Sequence, residues 1–202
     1  MLFRSIHDVG NDALPIQSGI YIDDSSDMFK IENNIIYNVH GGGGDQCIYV
    51  KGVGNRISNN ILVVGPTNQS AIRSFAMADE RCDTHRYERN IFYFEGEGGA
   101  IYDFNNWSDN RVVIAGKNLF FKPNGALTVL GGPDPGGWDA YRAVRGGALD
   151  ADSINADPKF LDPANHNYEL APDSPALALG FVPIKQNEIG LMNTFPERLS
   201  EE

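Results

Sequence analysis

The chain predicts an all-β solenoid of stacked parallel coils, and three features carry that reading. The first is a repeat. Asn34-Ile35, Asn60-Ile61, Asn90-Ile91 and Asn118-Leu119 recur 26, 30 and 28 residues apart, and a period of this length marks a stacked-repeat architecture. The second is the company each pair keeps. Each lies in a run rich in β-formers: Phe29 to Tyr37, Asn55 to Val64, His85 to Phe94, Arg111 to Phe121. The third is a shorter run before each pair: Gly19 to Asp23, Cys47 to Lys51, Ala71 to Phe75 and Ala100 to Phe104, with a fifth, Ala126 to Leu130, after the last. Short alternating strands without helical periodicity make this a β array rather than a helical one.

Strand side chains alternate between faces, so stacked coils build vertical columns. Aligning the short runs predicts an inward column of Ile20, Ile48, Ile72, Ile101 and Leu127. A second would be Ile22, Val50, Ser74, Asp103 and Val129. The outward columns then read Tyr21, Tyr49, Arg73, Tyr102, Thr128 and Asp23, Lys51, Phe75, Phe104, Leu130. Aromatic and charged residues on one outer face suggest a surface built to touch something. The Asn column reads as architecture. Asn tolerates the left-handed conformation of a sharp turn, and stacked amides hydrogen-bond from coil to coil.

A hydrophobic content of 42% over 202 residues suits one cored domain, or one with a terminal appendage. Acidic residues outnumber basic ones, 27 to 16. That balance argues against nucleic acid and anionic membranes as partners. A local cluster such as Lys51 with Arg73 leaves an anionic glycan open. The sequence has no apolar run long enough to span a bilayer, and Met1 to Ile6 lacks the apolar core of a signal peptide. Cys47 and Cys82 are too few for a disulfide scaffold, and free thiols are favoured over one bridge. Asn68-Gln69-Ser70 and Asn106-Trp107-Ser108 match the glycosylation sequon, a pattern frequent by chance. Gly41 to Gly44 precede a strand, not a helix with Lys-Ser/Thr, so they form a loop between coils rather than a phosphate cradle.

Along the chain, residues 1–17 read as a partial coil, 18–130 as the solenoid and 131–202 as a C-terminal loop and cap. A turn-rich break spans Gly131 to Gly137. Trp138 to Val144 is expected to be a short helix and Tyr168 to Leu170 a strand. The segment from Asp150 to Leu179 is expected to cover the C-terminal edge. The end, from about residue 193, is polar and expected to fray.

Gly19-Ile20-Tyr21-Ile22-Asp23-Asp24-Ser25-Ser26 resembles a strand found in bacterial repeat proteins of carbohydrate metabolism. Ile6-His7-Asp8-Val9-Gly10, Glu32 to Tyr37, Asn106 to Asp109, Ala156 to Pro163 and Tyr168 to Phe181 are similar too. The chain thus resembles the C-terminal part of the right-handed parallel β-helix proteins, the pectate-lyase-like group. The resemblance implies about five coils, a glycoside hydrolase or polysaccharide lyase lineage, an oligo- or polysaccharide partner and an extracytoplasmic location. It is weak for reaction, because the fold hosts many chemistries. Two departures stand out. Such proteins usually carry several more N-terminal coils, so the chain resembles a fragment or shortened form. Many also carry a His-x-His-Tyr-Gly strand where this chain has Ile48-Tyr49-Val50-Lys51-Gly52.

Glycoside hydrolysis needs two carboxylates about 5–9.5 Å apart. Asp23 is the first candidate; Asp103 lies three strand spacings away, roughly 14 Å, which is too far for a pair. Elimination needs a base, a proton donor and a cation for the uronate. Tyr49 suits proton donation, and Lys51 and Arg73 suit carboxylate binding. Tyr21, Tyr102, Phe75 and Phe104 are the candidate sugar-stacking residues. Asp23, Asp24 and Asp27 offer hard oxygens to calcium but lack a ligand loop's spacing. His40 and His85 lie near turns, His85 at the start of a strand, and read as surface residues rather than catalysts. A glycan-binding or structural role without catalysis is the alternative. An uncovered N-terminal edge would invite a two-fold homodimer.

Overall fold

The computed structural model describes residues 4–11, 13, 16–41, 43–76, 81–134 and 136–189. The polar end from about 193 and the first three residues lie outside them. The chain is an all-β parallel solenoid of four complete coils, with a partial coil at each end. Each coil contributes one strand to each of three sheets. The front sheet stacks Ser18–Ile22, Gln46–Val50, Ser70–Ser74, Ala100–Phe104 and Val129–Leu130. The side sheet stacks Lys30–Glu32, Arg56–Ser58, His85–Glu88 and Val112–Gly116. The back sheet stacks Arg4–Ile6, Asn34–Ile36, Ile61–Val64, Ile91–Phe94, Leu119–Phe121 and Ile154–Asn155.

The Asn column is a ladder. The amide oxygen of Asn60 accepts from the backbone N–H and Nδ2 of Asn34, at 3.0 and 2.8 Å. Asn90 accepts from Asn60 in the same way, and Asn118 from Asn90. The second hydrogen of each amide goes to a backbone carbonyl, as from Asn60 to Ile31 and Asn118 to Tyr87. Each buried donor is thereby satisfied, and each bond adds about 1 kcal/mol net. The left-handed turn residue is not the ladder Asn but the residue before it: Asn33, Asn59, Arg89 and Lys117 have φ between 52° and 61°.

The front-sheet register departs from the sequence alignment at the fourth coil. Ile20, Ile48 and Ile72 align as expected. Ile72 then pairs with Tyr102, not Ile101, and Tyr102 with Val129. A slip of one residue exchanges the faces of a strand. Tyr102 and Phe104 therefore point inward, and Asp103 outward. Packing decides it. Buried Tyr102 lies 5.3 Å from the Tyr87 ring and 5.7 Å from Phe92, centroid to centroid. Its hydroxyl donates to Asp150 at 3.1 Å. Ile101 is still buried in the core, and Leu127 packs against it.

The helix Gly137–Ala143 closes the C-terminal end. Its Trp138 meets Phe120 edge-on at 5.4 Å, and its fully buried Tyr141 packs at 5.2 Å from Tyr102. Asp150 terminates the ladder, accepting from Asn118 Nδ2 at 2.7 Å and from the Ser153 and Tyr141 hydroxyls. The segment that follows first covers the C-terminal edge of the back sheet, as the sequence suggested, with Ile154–Asn155 pairing beside Leu119–Phe121, and then leaves the stack. It lies along the outside of the back sheet, where Tyr168, Ala176, Phe181 and Ile184 bury the outward column Ile35, Ile61, Ile91 and Leu119. It reaches back to the second coil, where Asn59 exchanges two hydrogen bonds with the Val182 backbone.

Candidate functional site

Parallel, in-register strands set identical positions about 4.8 Å apart, close to the stacking distance of aromatic rings. The outward front column uses this. Tyr21 and Tyr49 stack at 4.6 Å with planes 16° apart; Arg73 follows in this column, and the Phe75 ring of the neighbouring outward column lies tilted 6.2 Å from Tyr49. The Arg73 guanidinium lies 5.7 Å from the Tyr49 ring centre and 4.8 Å from that of Phe75. Lys51 Nζ is 6.0 Å from Tyr49. Tyr21, at the open end of the column, is 50% exposed, while Tyr49 is sandwiched and only 6% exposed.

The two cations already hold carboxylates. Lys51 Nζ lies 2.8 Å from Asp24 and 3.3 Å from Asp23. Arg73 Nε lies 3.3 Å from Asp103, which also accepts from Gln69 at 2.7 Å. Burial lowers the Lys51 pKa, but Asp24, Tyr21 and Asp23 outweigh it and leave the ammonium above its ordinary value. Burial pushes the Tyr49 hydroxyl up to about 12. It also raises Asp103, with Arg73 and Gln69 pulling back. Asp23 is held low by the Asp24 backbone N–H and by Lys51.

The structure thus gathers Tyr21, Tyr49, Lys51, Arg73, Phe75, Asp23 and Asp24 on one face and adds Gln69 and Asp103. It removes Tyr102 and Phe104, expected there, to the interior, where both are buried. The oxygens considered for calcium are engaged: Asp23 and Asp24 by Lys51, Asp27 by the Val53 N–H at 2.7 Å. No group of three metal-ligating side chains occurs among the described residues. In the sequons, Asn68 is buried, and its amide donates to the Val39 carbonyl.

A polar group inside the solenoid went unread in the sequence. Cys47 and Cys82 are both buried and form no disulfide among the described residues. Cys82 Sγ lies 3.3 Å from His85 Nε2 and 3.4 Å from Ser74 Oγ. Buried Arg111 donates to the carbonyls of Ser74 and Asn106. His85 opens the strand His85–Glu88, as expected, and is fully buried. Burial first, and then Arg111, depress its pKa to about 3, so the ring is neutral. Ser74 was the available signal, a hydroxyl in a column otherwise occupied by Ile22, Val50 and Phe104.

No family model, curated protein or solved structure matches the chain. A functional reading therefore rests on the geometry of the front face.

Proposed function

We propose that the front face engages a glycan, with Tyr21 as the stacking platform and the Lys51 and Arg73 ion pairs as hydrogen-bonding flanks, in a pectate-lyase-like, carbohydrate-active lineage. The observation that carries this reading is the stacked Tyr21–Tyr49 pair, with Phe75 beside it, bordered by polar groups on a regular surface. An aromatic face buries the C–H side of a sugar ring, and planar guanidinium and carboxylate groups meet its hydroxyls. The charges favour a neutral sugar over a uronate. Two cations share the face with three carboxylates, so a uronate would have to displace an internal partner.

A binding role without catalysis has its own support. Tyr49 is sandwiched, and its raised pKa makes a tyrosinate base inaccessible near neutrality. Asp23, held low, is no proton donor. Asp103, the carboxylate with a raised pKa, belongs to the fourth coil, three spacings of about 4.8 Å from the first, beyond a hydrolytic pair.

Calorimetric titration with neutral and uronic oligosaccharides tests the reading, alongside reducing-end and product-unsaturation assays. Tyr21→Ala should weaken binding by about 1 kcal/mol, roughly fivefold, with the fold intact. An unchanged affinity for every glycan that binds would move the site off this face.

A further inference from the structure

We propose that Asn124 is a self-modification site: its side-chain amide is lost by attack of the Gly125 nitrogen, and the carboxylate formed becomes the counter-ion of Lys122. The inference is independent of the glycan reading.

Asparagine is a chemically labile residue, and the weak point is attack on its Cγ by the next backbone nitrogen. Glycine in that next position favours the approach, because it carries no Cβ. Asn124 is the one asparagine of the chain that glycine follows. It lies in the exposed stretch 123–126, between the strands Leu119–Phe121 and Val129–Leu130. Gly125 has φ of 115°, a conformation that suits glycine. Among the described residues, neither the Asn124 amide nor the Gly125 N–H has a hydrogen-bond partner. Other turn asparagines are held in place. The Asn105 and Asn106 amides donate to the Ala76 carbonyl at 2.7 and 2.9 Å, and the ladder amides are bonded from coil to coil.

The reaction balances with water as the only co-reactant. The Gly125 nitrogen gives up its proton to hydroxide and attacks the Asn124 Cγ. A succinimide ring closes, and the side-chain nitrogen takes up a proton and leaves as ammonia. Water then opens the ring at either carbonyl, giving aspartate or isoaspartate. Both ring carbonyls are bonded to the Gly125 nitrogen. The new carboxylate is therefore released beside Gly125 on either route.

That position adjoins a buried cation. A Cβ on Gly125 would stand 3.5 Å from Lys122 Cε. Lys122 is only 7% exposed. Its ammonium donates to the Gly99 carbonyl at 2.9 Å and lies 5.1 Å from the Phe94 ring centre. It has no ion pair among the described residues, and burial depresses its pKa. Glu97 lines the same recess but is exposed and does not pair with it. A buried charge is costly unless it is paired, so a carboxylate formed at this loop is drawn to Lys122.

Peptide mass mapping of the whole chain, aged at mildly alkaline pH, tests the proposal. Residue 124 should gain about 1 Da, the exchange of NH2 for OH, as a mixture of aspartate and isoaspartate, and should do so faster as pH rises. Asn124→Gln, which would have to close a larger ring, should keep its mass over the same period. In Asn124→Asp the Lys122 ammonium, followed by NMR, should titrate at higher pH than in the parent chain. Circular dichroism checks that both variants are folded. An unchanged mass at residue 124, earlier loss of amide from a ladder asparagine, or the same Lys122 titration in Asn124→Asp as in the parent would each overturn it.

Discussion

The two ends of this solenoid meet the same physical problem differently. Ile48 and Val50 are fully buried, while Ile20 and Ile22, at the same positions one coil earlier, are only partly covered. At the other end Phe104 and Phe120 are buried beneath Trp138 and Tyr141. The repeat cannot finish itself: a core column is closed by the next coil or by a foreign element. The C-terminal end has such an element, an aromatic helix with a buried Asp that ends the Asn ladder. The described N-terminal end has strand edges and an apolar recess.

The coil between the ends sets the scale, and the largest effect is expected there. His85 is dry and neutral, its pKa depressed from 6.5 to about 3. The unfolded chain binds the proton more tightly, so the His85 contribution is complete above pH 6.5 and is lost as pH falls toward 3. The full loss is on the order of 5 kcal/mol. Urea denaturation against pH, compared with His85→Gln, isolates it; parallel profiles would mean that the ring is hydrated and that the interior is no standard for either end.

Capping comes next. Tyr141→Ala should cost about 3–4 kcal/mol, since it empties a fully buried ring site and removes a donor to Asp150. Phe29→Ala, at the opposite end and 51% exposed, should cost about 1 kcal/mol or less. Comparable losses would erase the distinction between the ends.

The ladder gives a finer gradient. Asn90→Ala orphans buried groups in the coils on both sides and should cost about 2 kcal/mol. Asn34→Ala, at the outermost rung, breaks bonds on one side only and should cost about half as much. Equal costs in thermal or urea unfolding would mean that the ladder senses no end.

Much of this asymmetry was legible in the residues. The Asn-aliphatic spacing specified the coils, and Trp138 to Val144 and Tyr168 to Leu170 announced the helix and late strand. The fourth-coil register was hidden, because Ala100-Ile101 repeats Ala71-Ile72 and local similarity favours the wrong pairing. What selects Ser70 opposite Ala100 is nonlocal: the Tyr102 hydroxyl reaches Asp150, and Asp103 reaches Arg73. That slip also separated the candidate face into residues correctly placed, such as Tyr21 and Arg73, and residues misplaced, Tyr102 and Phe104. The docking of the C-terminal segment had an overlooked sign. Ile35-Ile36, Ile61-Leu62, Ile91-Phe92 and Leu119-Phe120 are apolar on both faces, as strands covered on both sides must be.

Hydrogen exchange tests the contrast between the outermost described coil and the interior most directly. Amides of Gln46–Val50 and Ala100–Phe104 should be strongly protected, because coils cover them on both sides. Amides of Ser18–Ile22 and Lys30–Glu32, paired along one edge only among the described strands, should exchange faster. Protection of Ser18–Ile22 equal to that of Gln46–Val50 would contradict the account.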